Sequence, residues 1–188
     1  MIKLLITDFD GTLVDTFNAN LRAYQDAFGQ CGLTLSAEDY RNCFGFRFDR
    51  FMDVMNIKDH DIRNKIRIRK ANCYPRYFEY LKINTPLLEF IRAFRRSGHK
   101  TAIASTARRE NLMNVLTYIH AVDAFDLILA GEEVKEGKPS PEIYQKTLAY
   151  FNCHPSEALV FEDSEVGFQA AQNAGINYVT IKSSFYGN

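Results

Sequence analysis

Four stretches of the chain carry residue types and spacings that could do chemistry. The first is Asp8-Phe9-Asp10-Gly11-Thr12, two carboxylates one residue apart at the end of the apolar run over residues 2–6. A short run of Ile and Leu reads as a fully buried strand. Alternate residues of a strand share a face, so Asp8 and Asp10 are expected to point the same way for as long as strand geometry lasts. At the carboxyl end of a parallel strand they would stand in the crevice where open α/β sheets bind ligands. Two like charges so close need a cation or a shared proton.

The other three stretches also fall at the ends of expected strands. Ala104-Ser105-Thr106 offers hydroxyls and successive backbone N–H groups, which together can hold a phosphate oxygen. Gly137-Lys138-Pro139-Ser140-Pro141-Glu142 sets one lysine between turn residues and two prolines, a stiff loop able to aim Lys138 at a fixed place. Phe161-Glu162-Asp163-Ser164 ends a buried strand in adjacent acids, which call for a charge partner such as a metal ion.

The elements that must position these groups follow from periodicity. Residues 17–31 carry Leu21, Tyr24, Ala27 and Phe28 at helical spacing. Ser36 is an expected N-cap, Gly45 a break, and residues 48–55 resume helical spacing. Residues 61–80 read as a longer helix that Pro75 kinks or divides. No strand is evident across these residues, and basic side chains outnumber acidic ones. From Pro86 on, helices over 87–96, 109–119, 140–151 and 166–174 alternate with strands over 100–105, 127–130, 158–162 and 178–181. That alternation implies a parallel sheet of five strands, counting the first, with a helical insertion after strand one.

Bulk properties narrow the classes. The chain has 188 residues, 46% hydrophobic and 24% charged, with 23 Lys or Arg against 23 Asp or Glu. That balance gives no global bias toward nucleic acid or an anionic membrane. No apolar run approaches the roughly 20 residues of a membrane span, and the N-terminus shows no signal-peptide pattern. Cys31, Cys43, Cys73 and Cys153 are scattered, as expected for reduced thiols in a cytoplasmic protein. Nothing suggests a coiled coil or a large symmetric interface, so a monomer is expected.

Taken together, the four stretches resemble the haloacid dehalogenase-like superfamily of aspartate-dependent phosphotransferases, in particular the subgroup of β-phosphoglucomutase and sugar-phosphate phosphatases. Asp8-Phe9-Asp10-Gly11-Thr12 is similar to its first motif, Ser105 to the second, Lys138 to the third, and Glu162-Asp163 to the fourth. The resemblance spans the whole chain and implies an α/β fold. A Rossmann-like core of residues 1–15 and 83–188 would hold a five-stranded parallel sheet flanked by helices, and residues 16–82 would form a small all-helical cap. It implies that Asp8 is the nucleophile and Asp10 the general acid and base. Mg2+ would be held by the Asp8 carboxylate, the Asp10 main-chain carbonyl and Asp163. Ser105, Thr106 and Lys138 would grip the phosphoryl group, with Glu162 and Thr12 supporting the groups that touch metal and phosphate.

Electrostatics point the same way. A carboxylate approaching a phosphate dianion is repelled by roughly 8 kcal/mol at 4 Å with an effective dielectric near 20, and one divalent cation plus one ammonium reverse that sign. The resulting expectation is a Mg2+-dependent phosphatase acting on a small phosphorylated metabolite, a sugar phosphate, through an aspartyl-phosphate. The alternative is a phosphohexomutase using the same site. Arg47, Arg50 and Lys70 are the cap residues expected to meet substrate. Asn20 and Phe48 depart from the mutase pattern, whereas Lys70 matches it. A receiver module shares the phosphorylated Asp and the Lys but lacks a helical insertion after its first strand.

Overall fold

The computed structural model describes residues 1–182 and Tyr186. The chain divides into two compact units, Met1–Asp15 with Lys82–Asn188, and Thr16–Leu81. The first unit is built on strands β1 (Leu4–Thr7), β4 (Lys100–Ala104), β5 (Leu127–Leu129), β6 (Ala158–Glu162) and β7 (Asn177–Thr180). They form one parallel sheet in the order β5-β4-β1-β6-β7. β1 is central, with Thr7 paired to Ile103 on one side and Phe161 on the other. A strand buried on both faces has no room for polar alternation, and all four β1 residues are buried.

Helices α5 (Thr85–Arg96), α6 (Arg109–Tyr118), α7 (Glu142–Phe151) and α8 (Glu165–Asn173) connect these strands. On one face of the sheet Leu4, Ile6, Ala102, Ala104 and Val160 pack with Ile143, Tyr144 and Leu148 of α7 and Ala170 and Ala171 of α8. Alanines on α8 let the helix approach the sheet closely. Helix α7 begins two residues later than the spacing suggests, with Pro141 in the N-cap position. The Glu142 carboxylate accepts the backbone N–H groups of Lys135 and Glu136 at 3.1 and 2.9 Å. Those bonds, from Glu136 first and then Lys135, with Lys146 assisting, hold its pKa down at about 2. The stiffness of the Lys138 loop therefore comes from Glu142 as well as from the prolines.

Two corrections concern the first motif. β1 ends at Thr7, so Asp8 and Asp10 do not share a strand. Asp8 keeps one ladder bond, its N–H to the Phe161 carbonyl at 2.9 Å. The chain then folds back, with Leu13 and Val14 N–H groups both reaching the Phe9 carbonyl at 3.1 and 3.0 Å. Gly11 makes that turn at φ +90°, where a side chain is strained, and a Cβ there would lie 2.1 Å from Asp163 Oδ2. The second correction is a small antiparallel ribbon of β2 (Val14–Asp15) and β3 (Lys82–Ile83). Each strand has two residues, too few for any period, and Lys82, read from sequence as the last residue of the insertion, pairs with Asp15 in the first unit.

The second unit is helical: α1 (Phe17–Gly29), α2 (Ala37–Cys43), α3 (Phe48–Val54) and α4 (His60–Cys73), then a 3-10 helix over Tyr74–Tyr80. Pro75 divides rather than kinks the last helical stretch, because it cannot supply the N–H an α-helix needs there. The Ser36 hydroxyl accepts the Asp39 N–H at 3.0 Å, the expected cap. Its core joins Leu21, Phe28, Tyr40, Phe51, Met52 and Ile66. No helix among the described residues is long and apolar enough to cross a membrane.

Asn84 fastens the start of α5 to the turn after the first motif. Its side-chain oxygen accepts the Leu87 N–H at 3.2 Å, its amide donates to the Thr12 carbonyl at 3.2 Å, and its backbone N–H reaches the Leu13 carbonyl at 2.9 Å. Asn84→Ala removes an N-cap and strands a buried carbonyl. It is expected to cost about 2–3 kcal/mol in urea unfolding; a change below about 0.5 kcal/mol would show that Asn84 does not hold this corner together.

Candidate active site

The carboxyl ends of β1, β4 and β6 are neighbours in the sheet, so the groups that follow them are brought together. Asp8 follows β1, Ser105 follows β4, Glu162 ends β6 and Asp163 follows it. Lys138 reaches in from the loop ahead of α7. Its ammonium, 3% exposed, lies 2.7 Å from Asp8 Oδ1 and 2.5 Å from Glu162 Oε1. Burial lowers the affinity of this lysine for its proton, but Asp8 and Glu162 outweigh that and raise its pKa well above the ordinary value. Lys138 is therefore a fixed positive charge.

The two acids it touches differ. The Glu162 carboxylate receives five donors. Lys138 and the Tyr144 hydroxyl (3.2 Å) reach Oε1, while the Asp163 N–H (2.9 Å), Ser164 N–H (3.0 Å) and Ser164 hydroxyl (3.1 Å) reach Oε2. Burial alone would raise its pKa, yet Lys138 and Ser164 bring it below the usual carboxylate value. Asp8, also buried, has its pKa raised well above the ordinary value by burial first, with Glu162 and Asp163 adding to the rise against Lys138. Burial likewise lifts Asp163 to about 6, against the hydrogen bond it accepts from Thr12 Oγ1 at 2.7 Å.

Asp8, Glu162 and Asp163 can bring one oxygen each within 4.8 Å of one another. A carboxylate offers about four lone-pair sites, and those of Glu162 are taken by its five donors, so Asp8 and Asp163 are the carboxylates left to hold a cation. Three buried or half-buried acids against one ammonium leave negative charge in excess, which suits a divalent ion bound by oxygens.

Ser105 is buried, and its hydroxyl accepts the Ala107 N–H at 3.0 Å, leaving its own proton to donate. Gly131 is needed opposite this turn, since a Cβ there would come within 2.3 Å of the Thr106 carbonyl oxygen. Asp10 is half-buried in the turn that follows β1, where it forms a bridge to Val14. Gly167, just after the fourth motif, is equally constrained, as its Cβ would overlap the Glu162 carboxylate at 1.9 Å.

Arg47, Arg50 and Lys70 belong to the second unit. Arg47 occupies the N-cap position of α3. The Arg50 guanidinium packs over the Phe46 ring at 3.9 Å, and the Lys70 ammonium over Tyr74 at 3.6 Å and Tyr24 at 5.3 Å. Sequence reasoning missed Tyr144, which reads as an ordinary core position of α7. It also missed Tyr186, a buried residue whose hydroxyl finds no partner among the described residues. Burial and then the charges of Asp163, Asp15, Asp8 and Asp10 push that phenol's pKa upward. No sequence signal marks either tyrosine.

A parallel α/β sheet ending in an acid, a hydroxyl, a buried lysine and an acid pair defines a class of hydrolytic core. The family model described as haloacid dehalogenase-like hydrolase matches residues 5–181. The chain belongs to the haloacid dehalogenase-like hydrolase family. It is 31% identical to the protein CbbY of Rhodobacter capsulatus over 98% of this chain and 87% of that one. It is 28% identical to the phosphorylated carbohydrates phosphatase of Thermotoga maritima over 95% of this chain and 84% of that one. The crystal structure of CbbY from Rhodobacter sphaeroides in complex with phosphate superposes with a TM-score of 0.87 at 26% identity, covering 100% of this chain and 89% of that one.

The raised pKa of Asp163 has a sign that can be tested. An acid whose folded pKa of about 6 exceeds its ordinary 3.8 contributes stability in full at low pH and loses it as pH rises through about 6. In chelator at pH 7.5, Asp163→Asn is therefore expected to be more stable than the native protein by on the order of 2 kcal/mol. Mg2+ is expected to raise the melting temperature of the native chain and to leave that of Asp163→Asn unchanged. A less stable variant in chelator, or an undiminished response to Mg2+, would contradict this.

Proposed function

We propose that this hydrolase is a Mg2+-dependent phosphatase that hydrolyses a small phosphorylated metabolite, a sugar phosphate, through an aspartyl-phosphate on Asp8. The observation that carries the reading is the buried ammonium of Lys138 set 2.7 Å from the Asp8 carboxylate. Charge of that kind, fixed beside an acid at a strand end, favours a dianionic reactant that would otherwise be repelled. The named activity of the Thermotoga maritima relative supports a phosphorylated carbohydrate as the substrate class.

In this reading Asp8 attacks phosphorus, the bond to the leaving oxygen breaks, and Asp10 protonates that oxygen. Asp10, now a carboxylate, takes a proton from the water that attacks the aspartyl-phosphate, releasing phosphate and restoring Asp8. Lys138 donates to the phosphoryl oxygens, as do the Ser105 hydroxyl and the Thr106 turn. Asp8, Asp163 and the Asp10 main-chain carbonyl would hold Mg2+, which would supply further positive charge to those oxygens. Glu162 keeps Lys138 in place and Thr12 does the same for Asp163. Arg47, Arg50 and Lys70 are the proposed determinants of which sugar is accepted.

The test is a panel of sugar phosphates and para-nitrophenyl phosphate with Mg2+, with free phosphate and sugar isomers both followed. Release of phosphate is expected, with activity abolished in chelator and Asp8→Asn reduced by at least about 10³-fold, the scale for losing a nucleophile. An active Asp8→Asn enzyme would remove the covalent route. Isomerised sugar phosphate without free phosphate would replace the phosphatase with a phosphohexomutase.

A further inference from the structure

Tyr144 is fully buried on α7, yet its hydroxyl is directed at the most heavily bonded group of the site. It meets Glu162 Oε1 at 3.2 Å, the same oxygen that receives Lys138, and the Lys138 ammonium lies 5.2 Å from the centre of its ring. A phenylalanine would satisfy the packing of Ile143, Leu148 and the sheet, since a core needs volume and shape at such a position, not a hydroxyl. A phenol is accepted in a core only where its hydroxyl finds a partner. Here the partner is a carboxylate whose other oxygen is already taken by Ser164 and by the Asp163 N–H.

Gly167 leaves just enough room for the Glu162 carboxylate, and a methyl group there would overlap it. Three donors anchor Oε2, so the freedom left to Oε1, and with it to Lys138, is a swing about that anchored end, against which the Tyr144 hydroxyl stands. Burial keeps the phenol protonated and therefore a donor. Lys138 in turn has three ammonium protons, two of them directed at Glu162 and Asp8. The direction of the third follows from the other two.

We propose that Tyr144 is a positioning residue: through Glu162 Oε1 and the ring beside the ammonium, it sets where Lys138 presents its remaining proton to the phosphoryl group. This rests on the phosphatase reading above. It differs from a packing role because the hydroxyl, not the ring volume, carries the effect.

The test uses Tyr144→Phe, which keeps the ring, with Glu162→Gln and the double variant, all assayed on para-nitrophenyl phosphate with Mg2+. Tyr144→Phe is expected to lower kcat/KM about tenfold, the scale of a hydrogen bond to a charged group. It should raise the inhibition constant for inorganic phosphate in parallel, while the melting temperature moves by no more than about 3 °C. In the Glu162→Gln background the same substitution should add less than about twofold, because the residue through which it acts is already altered. A Tyr144→Phe enzyme with native kcat/KM, or losses that multiply in the double variant, would overturn the proposal while leaving the phosphatase intact. A native protein that releases no phosphate from any substrate would overturn the proposal together with the reading beneath it.

Discussion

The site depends on a buried ammonium. Lys138 is 3% exposed, and the two carboxylates it touches are 11% and 0% exposed in their side chains. Taking such ions out of water costs several kcal/mol each, recovered only when their geometry is good and their remaining hydrogen bonds are satisfied. Nearly every local feature around them supplies that compensation. Ser164 gives Glu162 a hydroxyl and an N–H, Asp163 another N–H, and Tyr144 a phenol. Glu142 braces the loop that delivers the lysine. Breaking one member of the set leaves the others as uncompensated charges, so this is a unit rather than a collection of contacts.

The sheet makes that unit possible. Because β1 is central and pairs with β4 and β6, three loops from distant parts of the chain emerge side by side at one edge. Close approach is then limited by sterics, and glycine solves it twice in the acid cluster: Gly11 beneath Asp163 and Gly167 beneath Glu162. In both places the obstruction to a Cβ is a carboxylate of the site itself. The glycines are where they are because charged side chains occupy the space.

What was legible in the sequence follows from the same physics. When several buried strands end in acids or hydroxyls, parallel order places those groups on one edge. Asp8, Ser105, Glu162 and Asp163 could be read that way, and the five strands with them. The ribbon of Val14–Asp15 with Lys82–Ile83 could not, since it consists of one pair of long-range contacts without periodicity. The early end of β1 was legible only in part: Gly11 signals a break at Phe9-Asp10, whereas the strand stops at Thr7, and the turn is closed by the Phe9 carbonyl that collects three N–H groups. Tyr144 was hidden for a different reason. A tyrosine at a helical core position reads as an apolar ring, and its hydroxyl acquires meaning only once Glu162 is known to stand opposite.

The contrast between Asp8 and Glu162 shows how one lysine can serve two carboxylates unequally. Both are buried and both bond the same ammonium, yet their affinities for a proton move in opposite directions. Burial first, and then the charges of Glu162 and Asp163, raise Asp8, whereas Lys138 and the Ser164 donors outweigh burial at Glu162. Glu162 has four besides Lys138, whereas the Asp8 side chain receives Lys138 alone among the described residues. Hydrogen bonds to the charged form spread and hold its charge, which makes a carboxylate a good counter-ion. Glu162 is thus suited to fixing the lysine, whereas the charged form of Asp8 calls for a further cation.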